Sequence, residues 1–433
     1  MQARTLLTAF MTILAFILTA GESAAQVESI LFSFANNGSD GMGPVGGLVF
    51  DASGNLYGTT SEGGKPCEGQ VGSCGTVFEL SPNLGGGWTQ QVLYTFSGPD
   101  GEYPWSNLIL DKSGNLYGTT YGGGTVGCGV VFELSPQPGG NWSEEVLYSF
   151  TGSGGDGCLL EAGLIFDAAG NLYGTTTYGG DQTCTFYPFG CGTVFELTPQ
   201  PGGVWTEHIL HRFSNAKKDG YNPTLAGLVF DAAGNLYGTT ARGGVYGTSG
   251  LGGTVFELTP STHGRWREEV LHSFGRRRGA YYTDGYYPTG SLALDANGNL
   301  YGTAYFGGSY DYGTLFEVSP KPGAKGWTEK VLHNFNNDGT DGCSPNGSLV
   351  LDGAGNLYGT TTFGGAGGGG TVFELTPARG GVWTDQILHS FSYNGTDGNT
   401  PWSGLIFDPA RNLYGTTTSG GAYGGGTVFE ITP

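Results

Sequence analysis

Charge is scarce in this chain. Only 12% of its 433 residues are Asp, Glu, Lys or Arg, and 37 acidic side chains against 17 basic ones leave a formal net charge of −20. An acidic surface repels phosphate backbones, so nucleic acid is excluded as the expected partner. Long apolar runs are missing beyond the N-terminus, which leaves no membrane span in the mature chain. No stretch shows a sustained 3.6-residue period, which argues against helices. Cysteine is sparse, at seven residues, and has no CxxC spacing, so a zinc scaffold is not expected. The 85 glycines follow no Gly-X-Y period, which excludes collagen, and aromatics at 13% argue against disorder.

The first 25 residues read as a signal peptide. Arg4 supplies the positive flank, residues 6–20 form an apolar run too short for a comfortable span, and Ser23 and Ala25 are small residues before a cut at Gln26. No cysteine follows the cut, so a lipid anchor is not supported. The mature chain, residues 26–433, is then exported, to the periplasm or beyond the cell.

What is abundant is repetition. NLYGTT, once NLYGTA, begins at Asn55, Asn115, Asn171, Asn235, Asn299, Asn356 and Asn412, at steps of 56 to 64 residues. A fixed period with elastic loops is one supersecondary unit copied. Each unit holds four short runs rich in β-branched and aromatic residues, in the first at residues 48–50, 56–60, 76–80 and 92–96, punctuated by Gly, Pro, Asp and Asn. Four antiparallel strands, A to D, in each of seven units predict an all-β fold, a single seven-bladed β-propeller. Asp51 to Asn55 forms the A–B turn, with Gly54 at positive φ. Leu56 and Tyr57 point to opposite blade faces, both buried, and Gly58 is expected to make room for the adjacent blade. The seventh turn has Arg411 where the others have Gly, so Arg411 is expected at an unusual backbone angle.

The last unit ends in strand C, whereas residues 27–34 match strand D and have no blade before them. The N-terminal strand is therefore expected to complete blade seven. Burying Ile30, Leu31, Phe32 and Phe34 there is worth at most about 6–12 kcal/mol.

The pattern DxxGNLYGTT…GTVFEL, repeated over nearly the whole mature chain, resembles the GloVer tandem repeat of exported bacterial proteins, often called choice-of-anchor proteins. The resemblance implies export and adds no catalytic residue. The sorting segment that such proteins carry at the C-terminus is not seen after residue 433, so a released protein is expected.

D–A and B–C connections share one face of a propeller, and length and composition vary mainly there, so that face is the expected site. All seven cysteines lie in those loops. The expected disulfides are Cys67–Cys74, Cys184–Cys191 and Cys128–Cys158, with Cys343 free. His211, His272, His333 and His389 share one repeat position with Phe32, Tyr94 and Tyr148, so they are read as structural; His208 lies beside strand D and His263 on the other face. Glu79, Glu133, Glu196, Glu257, Glu317, Glu374 and Glu430 recur in strand C, as pairing groups. Asp40, Asp100, Asp156, Asp219, Asp284, Asp341 and Asp397 recur as Asp-Gly, either as turn formers or as a carboxylate ring near the channel mouth that attracts a cation such as Ca²⁺. No metal or other cofactor is assigned.

The least repetitive stretch is residues 275–288, with Arg276, Arg277, Arg278, Tyr281, Tyr282, Tyr286 and Tyr287. Lys217, Lys218 and Arg242 are expected beside it. Arg forks bind carboxylates and Tyr rings stack on sugars, so these residues form the candidate ligand site. Two functions remain open. One is a secreted, monomeric binding protein for an acidic glycan or another protein. The other is an extracellular polysaccharide lyase or glycosidase, for which Glu62, Glu102, Glu161, Asp181 and Asp311 are the loop acids outside the repeat pattern.

Thiol titration of the unfolded mature chain is expected to find one free thiol; seven would overturn the pairing.

Overall fold

The computed structural model describes residues 27–432 except 36, 69–71, 183, 185–189, 217, 226, 248–250 and 262–263. The expected signal peptide, Lys217 and His263 lie outside the described residues. Short runs of β-branched and aromatic residues give strand after strand, and one 3₁₀ turn, Arg379–Gly381, is the only helical element described.

Blade one consists of Val49–Phe50, Leu56–Thr60, Thr76–Pro82 and Trp88–Thr95, hydrogen-bonded antiparallel in that order. The same A-B-C-D order recurs around the ring, and the molecule is a seven-bladed β-propeller. Blade seven takes its fourth strand from the other end of the chain. Val27–Ala35 pairs antiparallel with Gly424–Thr432, with Val27 opposite Thr432, Ile30 opposite Phe429 and Phe32 opposite Val428. The expected closure is thus the one observed.

The core is divided into seven clusters, each lying between neighbouring sheets. One joins Tyr57, Val77 and Phe96 of blade one to Leu108, Leu116 and Phe132 of blade two. The cluster across the closure joins Phe34, Tyr414 and Val428 to Leu48, Leu56 and Phe78. At every seam a Phe at or just past the end of strand D meets the strand-C Phe of the next blade. Centroid separations run from 4.7 Å for Phe274–Phe316 to 5.3 Å for Phe335–Phe373, and Phe34–Phe78 closes the set at 5.0 Å.

The repeated phrase is explained atom by atom. Leu56 is fully buried and Tyr57 nearly so. Gly58 sits opposite Phe78, and a Cβ there would lie 2.6 Å from the Phe78 ring. The glycine therefore makes room for its own blade's Phe rather than, as expected, for the adjacent blade. In blades one, six and seven the first Thr bonds across the seam: Thr59 donates to the Ser106 carbonyl at 3.2 Å, Thr360 to Ser403 at 2.9 Å, and Thr416 to Gly46 at 3.2 Å, whereas Thr303 donates within its own blade, to Thr289 at 3.3 Å. The second Thr bonds within the blade, as in Thr60–Thr76 and Thr417–Thr427, both 2.8 Å. In the turn before the phrase, Asp51 Oδ1 accepts from the N–H of Ser53 and Asn55, and Gly54 has φ 86°. Arg411 occupies the same left-handed region at φ 74° and donates to Asp352 at 2.8 Å. The strand-C glutamates are pairing groups: Tyr173 donates to Glu196 at 2.8 Å and Tyr414 to Glu430 at 2.9 Å.

Blade five departs from the pattern. Ala304 replaces the second Thr, and the buried Thr314 Oγ1 opposite it has no hydrogen-bond partner. Restoring the pair with Ala304→Thr is expected to stabilise the chain by about 1 kcal/mol, read as a higher midpoint in urea unfolding.

Candidate functional site

The loops entering strand A do two jobs at once. Gly43, Tyr103, Leu159, Asn222, Tyr287, Ser344 and Thr400 all adopt a left-handed backbone, with φ between 54° and 64°. Six of them are not glycine, so the conformation is held by its surroundings. Each N–H donates to a carbonyl of the preceding blade, for example Tyr103 to Cys74 at 2.9 Å, Tyr287 to Gly252 at 2.8 Å and Gly43 to Gly425 at 2.9 Å. The residue that follows is Pro in six blades and Leu160 in blade three. It packs on a glycine at or just before the start of strand C of the preceding blade: a Cβ on Gly75 would lie 2.7 Å from Pro104, and one on Gly426 2.7 Å from Pro44.

This turn aims the next residue at the ring axis. Val45, Trp105, Glu161, Thr224, Thr289, Asn346 and Trp402 occupy that one repeat position, and all seven line a single cavity of about 810 Å³. Tyr103, Tyr121, Arg242, Tyr287 and Tyr305 add to its wall, with Glu62. The cavity size is that of a small-ligand site. Beneath it a narrower space of about 220 Å³ runs along the axis past Asn107, Gly163, Gly227, Ser291, Ser348 and Gly404. Small side chains let the innermost strands approach one another there.

The wall is aromatic with a few polar groups. Trp105 stacks on Tyr121, centroids 4.3 Å apart and planes 23° apart. Arg242 lies over Tyr287, 5.5 Å from its centroid. Trp402 Nε1 is buried and has no hydrogen-bond partner. Burial pushes the Glu161 carboxyl up to about 7.

The candidate residues from the sequence are divided by the structure. Arg242 and Tyr287 line the axial cavity. Tyr286 stacks on the cavity residue Phe306 at 5.3 Å, Tyr282 packs on Tyr286 at 4.7 Å, and Arg277 lies 4.9 Å over Tyr282. These side chains form a continuous path from the cavity to an exposed hairpin, Arg277–Arg278 paired with Tyr281–Tyr282. Exposed Arg276 and Lys218 instead flank a separate shallow groove with Tyr246. Of the loop acids, Glu62 and Glu161 reach the cavity, whereas Glu102, Asp181 and Asp311 are not among its lining residues. Trp105, Trp402 and Tyr121 were not singled out from sequence. Their signal was there: the residue after the Pro varies as Val, Trp, Glu, Thr, Thr, Asn and Trp in an otherwise strict repeat.

The cysteines pair as expected. Cys67–Cys74, Cys128–Cys158 and Cys184–Cys191 are bonded, and Cys343 is free and buried. Among the described residues no helix is long and apolar enough to cross a membrane.

The Asp-Gly carboxylates do not ring the channel mouth. They sit farther out, at the seams, where they accept from the chain leaving strand D: Asp100 from Ser97 N–H at 2.8 Å, Asp397 from Ser392 N–H at 2.9 Å. The strand-D aromatic or histidine faces the same carboxylate. Tyr94 donates to Asp100 at 2.6 Å, His333 Nε2 lies 3.0 Å from Asp341, and His272 Nε2 lies 3.3 Å from Asp284. A further acid from the next blade's strand D closes on most of these pairs. Burial, and then the neighbouring aspartate, push Glu144 up to about 7 beside Asp100 and Glu207 up to about 8 beside Asp156. Glu268 and Glu329 rise to about 7 for the same reasons beside Asp219 and Asp284.

The family model described as the Gloeobacter/Verrucomicrobia repeat matches residues 14–208, 183–350 and 288–433, and the chain belongs to that family. No curated protein matches it significantly.

The four raised glutamates fix the sign of the pH dependence. Each binds its proton more tightly folded than unfolded, so its contribution is full below the unfolded value and is lost as pH rises through about 7–8. Tm is expected to be higher at pH 5 than at pH 8.5. Glu207→Gln is expected to raise Tm at pH 8.5 and flatten the profile, since Gln90 already fills the equivalent position in blade one; an unchanged profile counts against the buried acid pairs.

Proposed function

We propose that this member of the repeat family is an exported binding protein that takes a sugar unit of a glycan chain into the axial cavity. The observation that carries the reading is the convergence of seven residues from one repeat position on a single aromatic-lined space. A sugar ring offers an apolar C–H face and a rim of hydroxyls. The Trp105–Tyr121 stack and Trp402 answer the face; Asn346, Glu62, Glu161 and the unpartnered Trp402 Nε1 answer the rim. Arg242, 5.5 Å over the Tyr287 ring, supplies a cation for a carboxylate on the sugar. The aromatic path out to exposed Arg277 and Arg278 gives a longer acidic chain a second, positively charged contact. Three disulfides fit an oxidising, exported setting.

A second reading rests on one observation. Glu161, raised to about 7 by burial, shares the cavity with a second carboxyl group, Glu62, and a glycosidase draws on two carboxyl groups in one site.

Glycan-array screening of the mature chain tests both. Trp105→Ala and Trp402→Ala are each expected to weaken the best binder at least about tenfold, about 1.4 kcal/mol. Changing Arg276, Arg277 and Arg278 together to Ser is expected to weaken acidic chains and leave neutral ones unchanged. Binding that survives both tryptophan changes overturns the axial site. Chain cleavage by the parent protein, abolished in Glu161→Gln with binding kept, moves the assignment to hydrolysis.

A further inference from the structure

The seam between blades six and seven brings a histidine and two acids to one point. His389 stands on strand D of blade six, Trp383–Ser392; Asp397 stands in the loop entering blade seven; Glu28 stands on the closing strand, Val27–Ala35. One ligand atom from each lies within 4.8 Å of the other two. His389 Nε2, Asp397 Oδ1 and Glu28 Oε1 are all buried and have no hydrogen-bond partner. The Asp397 side chain is 10% exposed, with its other oxygen 3.5 Å from His389 Nε2. Among the described residues the arginine ion pairs are elsewhere, at Arg267–Glu269 and Arg411–Asp352, and no lysine or arginine pairs with either acid. A buried carboxylate and a half-buried one facing one imidazole are short of positive charge, and leaving them so is costly.

We propose that Glu28, His389 and Asp397 bind one divalent transition-metal ion, for which zinc is the best fit, and that the ion clips the closing strand to blade six. A neutral imidazole and two carboxylates carry a charge of −2, which a divalent ion neutralises. One nitrogen ligand among three favours zinc over calcium, magnesium or manganese, which are better suited by oxygen ligands. His389 is 21% exposed, so water can reach the remaining coordination position.

Convergence singles this seam out: His211, Asp219 and Glu268, and His272, Asp284 and Glu329, also hold buried atoms without partners, but neither triad is among the groups of described residues whose ligand atoms all come within 4.8 Å. At the seam from blade five to blade six, His333, Asp341 and Asp385 also come within 4.8 Å. There both Asp341 oxygens are taken, Oδ2 by His333 at 3.0 Å and Asn336 N–H at 3.1 Å and Oδ1 by Gly342 N–H at 2.8 Å, and Asp385 is 43% exposed, so the charges are answered without an ion; Asp397 accepts from Ser392 on Oδ2 alone. Tyr94 and Tyr148 replace the histidine at two seams and bond the acids directly, at 2.6 Å to Asp100 and 3.3 Å to Glu207. Cys67, Cys74 and Glu102 also cluster, but the two sulfurs are bonded to each other.

The test uses the untagged mature chain, stripped with EDTA, dialysed against zinc chloride and then against metal-free buffer. Elemental analysis is expected to find about one zinc per chain, and calorimetry a Tm rise of about 3 °C at a hundredfold excess over Kd. Glu28→Gln and His389→Tyr are each expected to lose both the zinc and the Tm rise. His389→Tyr keeps the fold testable, because tyrosine fills that position at two other seams. Asp385→Asn is expected to keep both signals. Absence of retained zinc overturns the proposal, as does zinc that persists undiminished in Glu28→Gln and His389→Tyr.

Discussion

An edge-on contact between two phenylalanines, made across the gap between sheets and seated over a glycine, is what the ring depends on. Phe34 against Phe78 and Phe391 against Phe429 are two of its seven copies. Aromatic pairs in this orientation add about 0.5–1.5 kcal/mol beyond the area they bury. Position matters more than that increment. The strand-C ring can reach over its own blade because Gly58 and its counterparts have no Cβ, and the ring from the preceding blade meets it at an angle of 54° to 67°. The angle between neighbouring sheets follows from that fit, and seven equal steps close the circle.

The fixed seam is also what frees the centre. The left-handed residue before each Pro gives its N–H to the preceding blade, and the Pro packs on a glycine at or just before the start of strand C. Backbone bonds hold the turn, so the side chain one place further on carries none of that load. Tryptophan, glutamate, asparagine and threonine can occupy the same spot in different blades without changing the path of the chain. The seam thus supplies the scaffold, and the axial position supplies the chemistry.

The architecture was legible because its signals are local and repeated seven times. Strand count, the A–B turn at Asp51, the closing strand and the three cystine pairs all follow from offsets within one period. Arg411 at a turn position that wants glycine was legible too. The axial site was not. Residues sharing a repeat position are dispersed when they lie near the rim, as His211 and His389 do, but the same rule reverses at the axis, where the radius is small. Nothing in the spacing gives a radius. The role of Gly58 was missed for a related reason: its neighbour, Phe78, is twenty residues away in sequence but directly opposite in the sheet. For the Asp-Gly carboxylates the turn-forming reading holds, as the bonds from Ser97 and Ser392 show, and the alternative of a ring at the channel mouth does not, because loop membership alone does not say which end of the loop a side chain serves.

The pairing of Val27–Ala35 with Gly424–Thr432 joins the first part of the ring to be synthesised with the last. While the ribosome makes everything between, Phe32 and Phe34 have no sheet to join. A cell making this protein must shield that greasy ribbon for nearly the whole time of translation, or thread the chain out of the cytoplasm before it can collapse on something else.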